Sequence, residues 1–350
     1  MLGSAGSDMG KKPRDPKLDL AKAVLICLVV LGHYLEAADG GWRSALGDLL
    51  RPIYMVHMPA FVFLAGITAR GRGTLAKVVQ WLTLLVVFSA IYIALDLALA
   101  DVNRGMEWDR PYWILWFLLA LAVWQALTPL VEAFPKTFVA VSVGVALFGS
   151  MIDSVGYDFS LSRIIVFWPF FVVGKVYGRA MLEAVDRLDI VARIALVGFA
   201  AAFAWMILQE NLNRFWLYGS RSFDGLAPDP WQGMSTRILL GLAAFIAMFA
   251  LWAILPRRDG WFTLPGQRSL AIYLLHGIPV TLLTSELKTV FGLPGGTGLA
   301  LLMSIALTAG TVALFTLPFW DKALRAVGTV ISRHIPVKSQ PRRSALSASS

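Results

Sequence analysis

The chain has 350 residues, of which 57% are hydrophobic and 15% charged, and its mean hydropathy is +0.68. A water-soluble protein of this length needs more charged residues on its surface, so the composition excludes a soluble globular fold. The formal net charge is +9, but the basic residues are spread along the chain rather than gathered in one nucleic-acid-binding domain. We therefore expect membrane lipids, and no nucleic acid, as partners of this basic chain.

Ten apolar segments are long enough to cross a bilayer as helices. In chain order they are residues 20–36, 52–69, 76–95, 112–131, 136–152, 163–181, 190–209, 235–255, 269–286 and 298–319. Pro59 and Pro169 interrupt the second and sixth segments, but proline is tolerated in a membrane helix when neighbouring helices satisfy the freed carbonyl group. The pattern predicts an all-α polytopic membrane protein, a bundle of about ten transmembrane helices without an internal repeat.

Basic residues are concentrated in alternate connections between these segments. If residues 1–17 are cytoplasmic, most Lys and Arg residues fall on the cytoplasmic side, as the positive-inside rule requires. We therefore expect a flexible N-terminus over residues 1–17, a membrane domain over 18–322 and a basic tail over 323–350, whose Ser- and Arg-rich part 333–350 is disordered. Both termini would be cytoplasmic in a bacterial-type inner membrane.

Lys22 and His33 share the first apolar segment, with ten residues between them. At about 100° per residue the two side chains fall within roughly 20° of one helix face, and they are ~16 Å apart along the axis. An ammonium group near one membrane face and an imidazole deeper in the same stripe could hold a long anionic donor and carry chemistry at its far end. Alternatively, Lys22 snorkels to the interface and pairs with Asp19.

Three of the four histidines, His33, His57 and His276, lie inside apolar segments. Ionisable groups in a bilayer are costly and are functional candidates by default, and a neutral histidine can act as a general base. The alternative for each is a structural histidine bound to a backbone carbonyl group. Lys22 on the same face favours function for His33, whereas both interpretations stay open for His57 and His276. We expect no role for His334 in the tail.

Other candidate groups lie at the expected outer face. Glu36 could orient the imidazole of His33 or lie free in the loop, and Arg163 could hold an acidic acceptor or mark the membrane boundary. Residues 210–234 combine aromatic side chains with Arg and Asp, which suits sugar rings and is also typical of an interfacial belt. Cys27 is the single cysteine, and neither paired metal-ligand spacing nor a phosphate-binding glycine loop occurs, so we expect no disulfide and no metal.

Four stretches resemble the membrane-bound acyltransferase-3 family, and within it the fucose-4-O-acetylase-like group. The opening helix of that family, with its basic-residue–x10–His signature, is similar to DLAKAVLICLVVLGH at residues 19–33. Its HMPxFxFxxG run is similar to YMVHMPAFVFLAG at residues 54–66. Its central and late helices resemble LWFLLAL at 115–121 and SLAIYLLH at 269–276. The resemblance extends over nearly the whole chain.

The resemblance implies O-acylation of a glycan or other hydroxyl acceptor by acyl-coenzyme A supplied from the cytoplasm. It also implies that His33 is the essential catalytic residue, that Lys22 contacts the donor and that His57 lines the same cavity.

We therefore expect a membrane O-acyltransferase that moves an acyl group, with acetyl as the first expectation, from acyl-CoA to a sugar hydroxyl. His33 would be the base, directly or through an acyl-histidine. The cations expected at the donor phosphates are Lys22, Lys17 and Arg14. The groups expected at the substrate or in the cavity wall are Asp19, Glu36, His57, Arg163 and His276. The alternative function is a transporter or flippase for a lipid-linked or anionic solute, against which the missing repeat argues.

Overall fold

The computed structural model describes residues 14–39, 42, 44–99, 109–210 and 212–332. Within these residues the chain is built of helices joined by short connections, and no β-strand occurs. The α-helices are α1 (Pro16–Asp39), α2 (Ala45–Thr68), α3 (Thr74–Leu99), α4 (Trp116–Ala133), α5 (Pro135–Phe148), α6 (Leu161–Asp186), α7 (Ile190–Gln209), α8 (Arg214–Tyr218), α9 (Pro230–Ile254), α10 (Leu264–Gln267), α11 (Ser269–Leu275), α12 (Gly277–Leu282), α13 (Thr284–Phe291), α14 (Gly296–Phe315) and α15 (Pro318–Ser332). Four 3-10 helices, Trp113–Leu115, Gly149–Met151, Asp158–Ser160 and Trp261–Thr263, lie in the connections.

Among the described residues, eight helical segments are long and apolar enough to cross a membrane. They are Pro16–Asp39, Ala45–Thr68, Thr74–Leu99, Trp113–Ala133, Asp158–Asp186, Ile190–Gln209, Pro230–Ile254 and Gly296–Phe315. Ser269–Leu282 and Thr284–Phe291 meet at a bend of 58° and make a ninth if they count as one span, and the apolar helix Pro135–Met151 is shorter. Each of the ten predicted segments coincides with one of these helices, which confirms the all-α polytopic membrane fold.

The ends of the membrane domain differ slightly from the expected boundaries. Helix α1 begins at Pro16, so the predicted N-terminal segment 1–17 already contains the start of the first helix. Helix α15 continues to Ser332, so the predicted tail 323–350 begins as helix. Residues 1–13 and the rest of the tail, 333–350 with His334, lie outside the described residues.

Helix α1 lies at the centre of the bundle, in contact with α2, α10, α11 and α14. Many of its apolar side chains are almost fully buried, among them Leu25, Ile26 and Val30. Helices α3 and α7, by contrast, expose apolar side chains along most of their length, as helices that face lipid do. Functional groups on α1 are therefore held inside the bundle. We call the end where α1 begins the Lys17 end and the end where it finishes the Glu36 end.

A close contact between α2 and α6 depends on glycine. A side chain on Gly174 would place its Cβ 3.0 Å from the Cα atom of Phe63, and one on Gly66 would place its Cβ 2.9 Å from the backbone nitrogen of Lys175. Small residues allow two membrane helices to approach this closely. The contact fixes the two helices that carry the candidate site together with α1.

Asp186, the last residue of α6, joins three helices at the Lys17 end. Its Oδ1 accepts hydrogen bonds from Lys17 Nζ at 2.6 Å and from Trp252 Nε1 at 3.0 Å, and its Oδ2 accepts one from Arg257 Nη2 at 3.1 Å. Lys17 is 3% exposed and also lies over the Trp252 ring. This cluster of paired side chains connects the beginning of α1 to the ends of α6 and α9.

Candidate active site

A cavity of about 1220 Å³ lies at the Glu36 end of the bundle. Four residues that the sequence singled out line it: His33 and Glu36 from α1, His57 from α2 and Arg163 from α6. Aromatic side chains complete much of the remaining wall, including Tyr54, Tyr112, Trp113, Trp116, Tyr157 and Tyr218. We call this the His33 cavity.

His33 presents its ring to the cavity with its side chain 14% exposed. Its Nδ1 lies 3.5 Å from the hydroxyl of Tyr54 and 3.7 Å from Oε2 of Glu36. Because the Tyr54 hydroxyl donates to Glu36, its oxygen can accept the proton of Nδ1. That arrangement favours the tautomer with hydrogen on Nδ1 and a free lone pair on Nε2, which a general base requires.

Glu36 is held by two tyrosines from different parts of the chain. Tyr54 donates to Oε2 and Tyr218, in the short helix α8, donates to Oε1. Burial and the charge of Glu36 raise the pKa of Tyr218 well above its usual value, so its hydroxyl stays protonated and remains a donor. The carboxylate beside His33 is therefore fixed in position, and Glu36 does not lie free in a loop.

The other two intramembrane histidines are bound to backbone carbonyl groups. His57 donates from Nδ1 to Ile53 O at 2.7 Å, and its ring contacts Tyr54 at 4.6 Å between centroids. His276 donates from Nδ1 to Tyr273 O at 2.7 Å, is fully buried, and lies 5.2 Å from His33 between ring centroids. His57 is part of the cavity wall, whereas His276 packs behind His33, and Nε2 of His276 has no hydrogen-bond partner among the described residues.

Arg163 provides a cation in the wall of the His33 cavity. Its guanidinium lies over the rings of Trp116 and Tyr157, at 5.4 and 5.1 Å from their centroids. Within the part of the chain that the structure describes, no carboxylate lies within ion-pair distance of it. Such a group can bind an anion that enters the cavity.

Lys22 lines a second cavity of about 180 Å³ toward the Lys17 end, together with Lys77 and Gln125. We call this the Lys22 cavity. Three residues line both cavities: Val29, Met58 and Tyr273. The ammonium group of Lys22 and the imidazole of His33 thus lie in adjoining cavities. The three shared side chains form the partition between these cavities.

The remaining predicted donor contacts lie outside both cavities. Lys17 is paired with Asp186, and Arg14 donates from Nη1 to Gln267 Oε1 at 2.7 Å. Asp19 does not line either cavity, although its charge acts on the Lys22 ammonium. A role for Lys17 or Arg14 at the donor, and a role for Asp19 at the substrate, stay predictions.

Sequence reasoning missed several groups that complete the site. Tyr54 lies three residues before His57 in the stretch that carries the family resemblance, and Tyr218 lies in the aromatic 210–234 connection, so both stood in segments already singled out. Lys77 gave no signal beyond its place at the start of an apolar segment. Among the described residues, no group of three or more His, Cys, Asp or Glu side chains could hold a metal ion.

Comparisons with known proteins identify the family to which the chain is similar. A family model described as an acyltransferase domain matches residues 15–320. Nodulation protein NolL of Sinorhizobium fredii is 28% identical over 202 residues, which cover 51% of this chain and 53% of that protein. Nodulation protein NolL of Mesorhizobium japonicum is 28% identical over 136 residues, which cover 33% of this chain and 36% of that protein. The chain thus spans about half or less of the length of these relatives, and no solved structure matches it.

Proposed function

Because the chain belongs to the acyltransferase-3 family of membrane acyltransferases, we propose that it transfers an acyl group, acetyl first of all, from acyl-coenzyme A to a hydroxyl group of a glycan. One observation carries the proposal: the Lys22 cavity and the His33 cavity adjoin at Val29, Met58 and Tyr273. A donor whose phosphates stay near Lys22 could therefore place its thioester beside His33.

The Lys22 cavity suits the thin part of such a donor. Its volume of about 180 Å³ is below the ~300 Å³ of pockets that enclose a whole drug-sized ligand. We infer that the nucleotide stays outside at the Lys17 end and that the pantetheine arm enters. Lys22 and Lys77 would bind phosphate oxygens at the entrance. The distribution of basic residues supports a cytoplasmic position for this end.

His33 would carry the transfer as a general base. Its Nε2 takes the proton from the acceptor hydroxyl while the hydroxyl oxygen attacks the thioester carbonyl carbon. The C–S bond then breaks, and the departing coenzyme A thiolate takes the proton back from the imidazolium. Glu36 at 3.7 Å would stabilise the imidazolium and hold the ring orientation. In the alternative route, Nε2 itself first receives the acyl group.

The wall of the His33 cavity suits a sugar. Its aromatic side chains offer flat faces for the C–H face of a pyranose ring, and the cavity of about 1220 Å³ is large enough for several rings. Arg163 would bind a carboxylate or phosphate group of the acceptor.

Transport stays as the second candidate function because of one observation. The bend of 58° between Ser269–Leu282 and Thr284–Phe291 follows the buried His276 by about two helical turns, ~10 Å. Interrupted helices mark the binding sites of many transporters. A transporter would move a solute without consuming acyl-CoA, so turnover of the donor separates the two functions.

The test measures acyl transfer by the purified protein in nanodiscs. Labelled acetyl-CoA is added with an envelope glycan fraction, and both coenzyme A release and label in the glycan are followed. His33→Ala should abolish both signals while the protein stays inserted and folded, and His334→Ala serves as the matched control. Transfer by His33→Ala at the rate of the unmodified protein would refute the role of His33, and absence of turnover by the unmodified protein would favour transport.

A further inference from the structure

A third cavity, of about 210 Å³, lies between α2, α5, α6 and α9. Its wall is almost entirely apolar, and the two prolines within predicted spans, Pro59 and Pro169, are part of it. Three of its lining residues, Val143, Ile238 and Leu242, are exposed on the outside of the bundle. In a membrane-spanning bundle such a rim faces the bilayer, so a lipid chain can enter from the side. We call this the lateral cavity.

One charged side chain lines the lateral cavity. Arg237 is 7% exposed, and its Nη atoms donate to Trp216 O at 3.4 Å and Arg221 O at 3.3 Å, whereas Nε has no partner. Within the described residues no carboxylate lies within ion-pair distance of its guanidinium. The guanidinium also lies over the rings of Trp216 and Phe223, at 4.9 and 5.6 Å from their centroids. Carbonyl groups and rings carry no net negative charge, and burying a charge without an anion is costly, so a ligand would bring the counter-charge that the cavity lacks.

Arg237 lies about two turns, ~10 Å, from the start of α9, which begins at Pro230. At this depth it can reach the phosphate of a lipid whose chain runs toward the bilayer centre along α9, since a long basic side chain extends to the head-group level. The apolar wall accepts the chain and the guanidinium accepts the phosphate.

The lateral cavity also adjoins the His33 cavity. Tyr54, Phe167 and Leu217 line both, and Tyr54 is the residue whose hydroxyl donates to Glu36. A lipid that serves only as packing material would not need this connection.

We propose that the lateral cavity binds a phosphate-bearing anionic membrane lipid, with its phosphate at Arg237, and that this lipid carries the acceptor hydroxyl to His33. The second half rests on the proposed function. The acceptor would then reach the site from the bilayer, while the acyl donor reaches it through the Lys22 cavity.

Lipid binding is tested by photo-crosslinking of the full chain in nanodiscs. The probes are phosphatidylglycerol and phosphatidylcholine that carry the same diazirine group in one acyl chain, and mass spectrometry locates the adducts. We expect phosphatidylglycerol to label α5, α6 and α9 preferentially. Arg237→Gln should reduce this labelling by about tenfold, which is the loss of ~1.4 kcal/mol of binding free energy, and Arg237→Lys should restore part of it.

A second variant leaves the charge of Arg237 in place, because Arg237→Gln could also disturb the backbone carbonyl groups to which Arg237 donates. Gly241 lines the lateral cavity and has open space where a Cβ would be, so Gly241→Leu can fill the cavity without a backbone clash. There are two matched controls. Gly198→Leu lies on the exposed surface of α7 and has equally open space. Arg179→Gln lies at an exposed position of α6. Labelling should fall for Gly241→Leu and stay unchanged for both controls.

Three results would overturn the binding site. Equal labelling by both lipids, or labelling that neither Arg237→Gln nor Gly241→Leu reduces, would indicate ordinary lipid around the protein. Displacement of the lipid by inorganic phosphate alone would indicate a site for free anions.

The acceptor half is tested separately with labelled acetyl-CoA. We expect label, dependent on His33, in the lipid extract of envelope membranes. Label in water-soluble glycan and none in the lipid extract would refute the lipid acceptor and leave acyl transfer intact. Crosslinking that depends on Arg237, without acyl transfer to any fraction, would refute the proposed function while the lipid site remains.

Discussion

Glu36→Gln removes the negative charge beside His33 and preserves the length and shape of the side chain. The amide oxygen can still accept a hydrogen bond from one tyrosine, but the amide nitrogen cannot accept from the other. The ring of His33 therefore loses its carboxylate partner, and the positions of Tyr54 and Tyr218 are no longer both fixed by the same acceptor.

The expected loss of rate follows from the distance between the two groups. Nδ1 of His33 is 3.7 Å from the Glu36 carboxylate, and at an effective dielectric constant of about 20 such a charge pair is worth about 4 kcal/mol. In the proposed mechanism the imidazolium forms as the acceptor is deprotonated, so the loss would fall on the barrier. An increase of about 4 kcal/mol corresponds to a roughly 10³-fold lower kcat.

The assay is the initial rate of transfer from labelled acetyl-CoA, measured against donor concentration. The KM for the donor should change little, because Glu36 lies in the other cavity from Lys22. Tyr218→Phe is the matched control, since it keeps the carboxylate and removes one hydrogen bond worth ~1 kcal/mol, and its kcat should fall much less. Equal rates for Glu36→Gln and Tyr218→Phe in folded protein would refute stabilisation of the imidazolium by Glu36.

Three further predictions concern the donor and the fold. Lys22→Met should raise the donor KM by roughly 30-fold, the equivalent of about 2 kcal/mol for one charge-assisted phosphate contact, with kcat unchanged. Lys17→Met should instead lower thermal stability, because it removes the buried partner of Asp186, and a large rise in donor KM for this variant would contradict that assignment. Gly174→Leu should destabilise the bundle by about 3 kcal/mol through overpacking, as measured by thermal unfolding, whereas Gly198→Leu, which has open space, should not. A thermally stable Gly174→Leu variant would show that α2 and α6 can separate without cost.

The helices could be located from the sequence because a bilayer requires little more of a spanning helix than a sufficiently long run of apolar residues. The prediction of helix over residues 269–286 is confirmed, but it did not include the bend in this segment. It is divided into α11, α12 and α13, with the bend of 58° before Thr284. Hydropathy averages over a window and does not register a change of direction, so this bend could not be predicted.

The candidate site was predictable where its residues are neighbours on one helix. The spacing of Lys22 and His33 depends on the period of α1 alone, and the structure places both side chains in adjoining cavities. The hydrogen bond from Tyr218 to Glu36, by contrast, joins residues 182 positions apart, and the pair of Lys17 and Asp186 joins residues 169 positions apart. Contacts of this kind are decided by how helices pack, and no local pattern in the sequence carries that information.

The partition between the two cavities imposes a condition on acyl transfer across the membrane. A donor arm that extends from Lys22 to His33 must pass Val29, Met58 and Tyr273. Val29 is β-branched and stiff, and the hydroxyl of Tyr273 is bound to Ile114 O. Met58 has three rotatable bonds and adapts its shape readily, so it is the side chain that can move aside for the arm.

The same partition would keep the two cavities separate when no donor is bound. An open connection between the two cavities would let protons and ions cross the membrane, whereas a movable side chain would close the passage whenever the arm withdraws. The thioester itself would then fill the opening that it creates. On the proposed mechanism, transfer to an acceptor on the far side would therefore need no larger movement of the helices, which is compatible with the tight, glycine-dependent contact of α2 and α6.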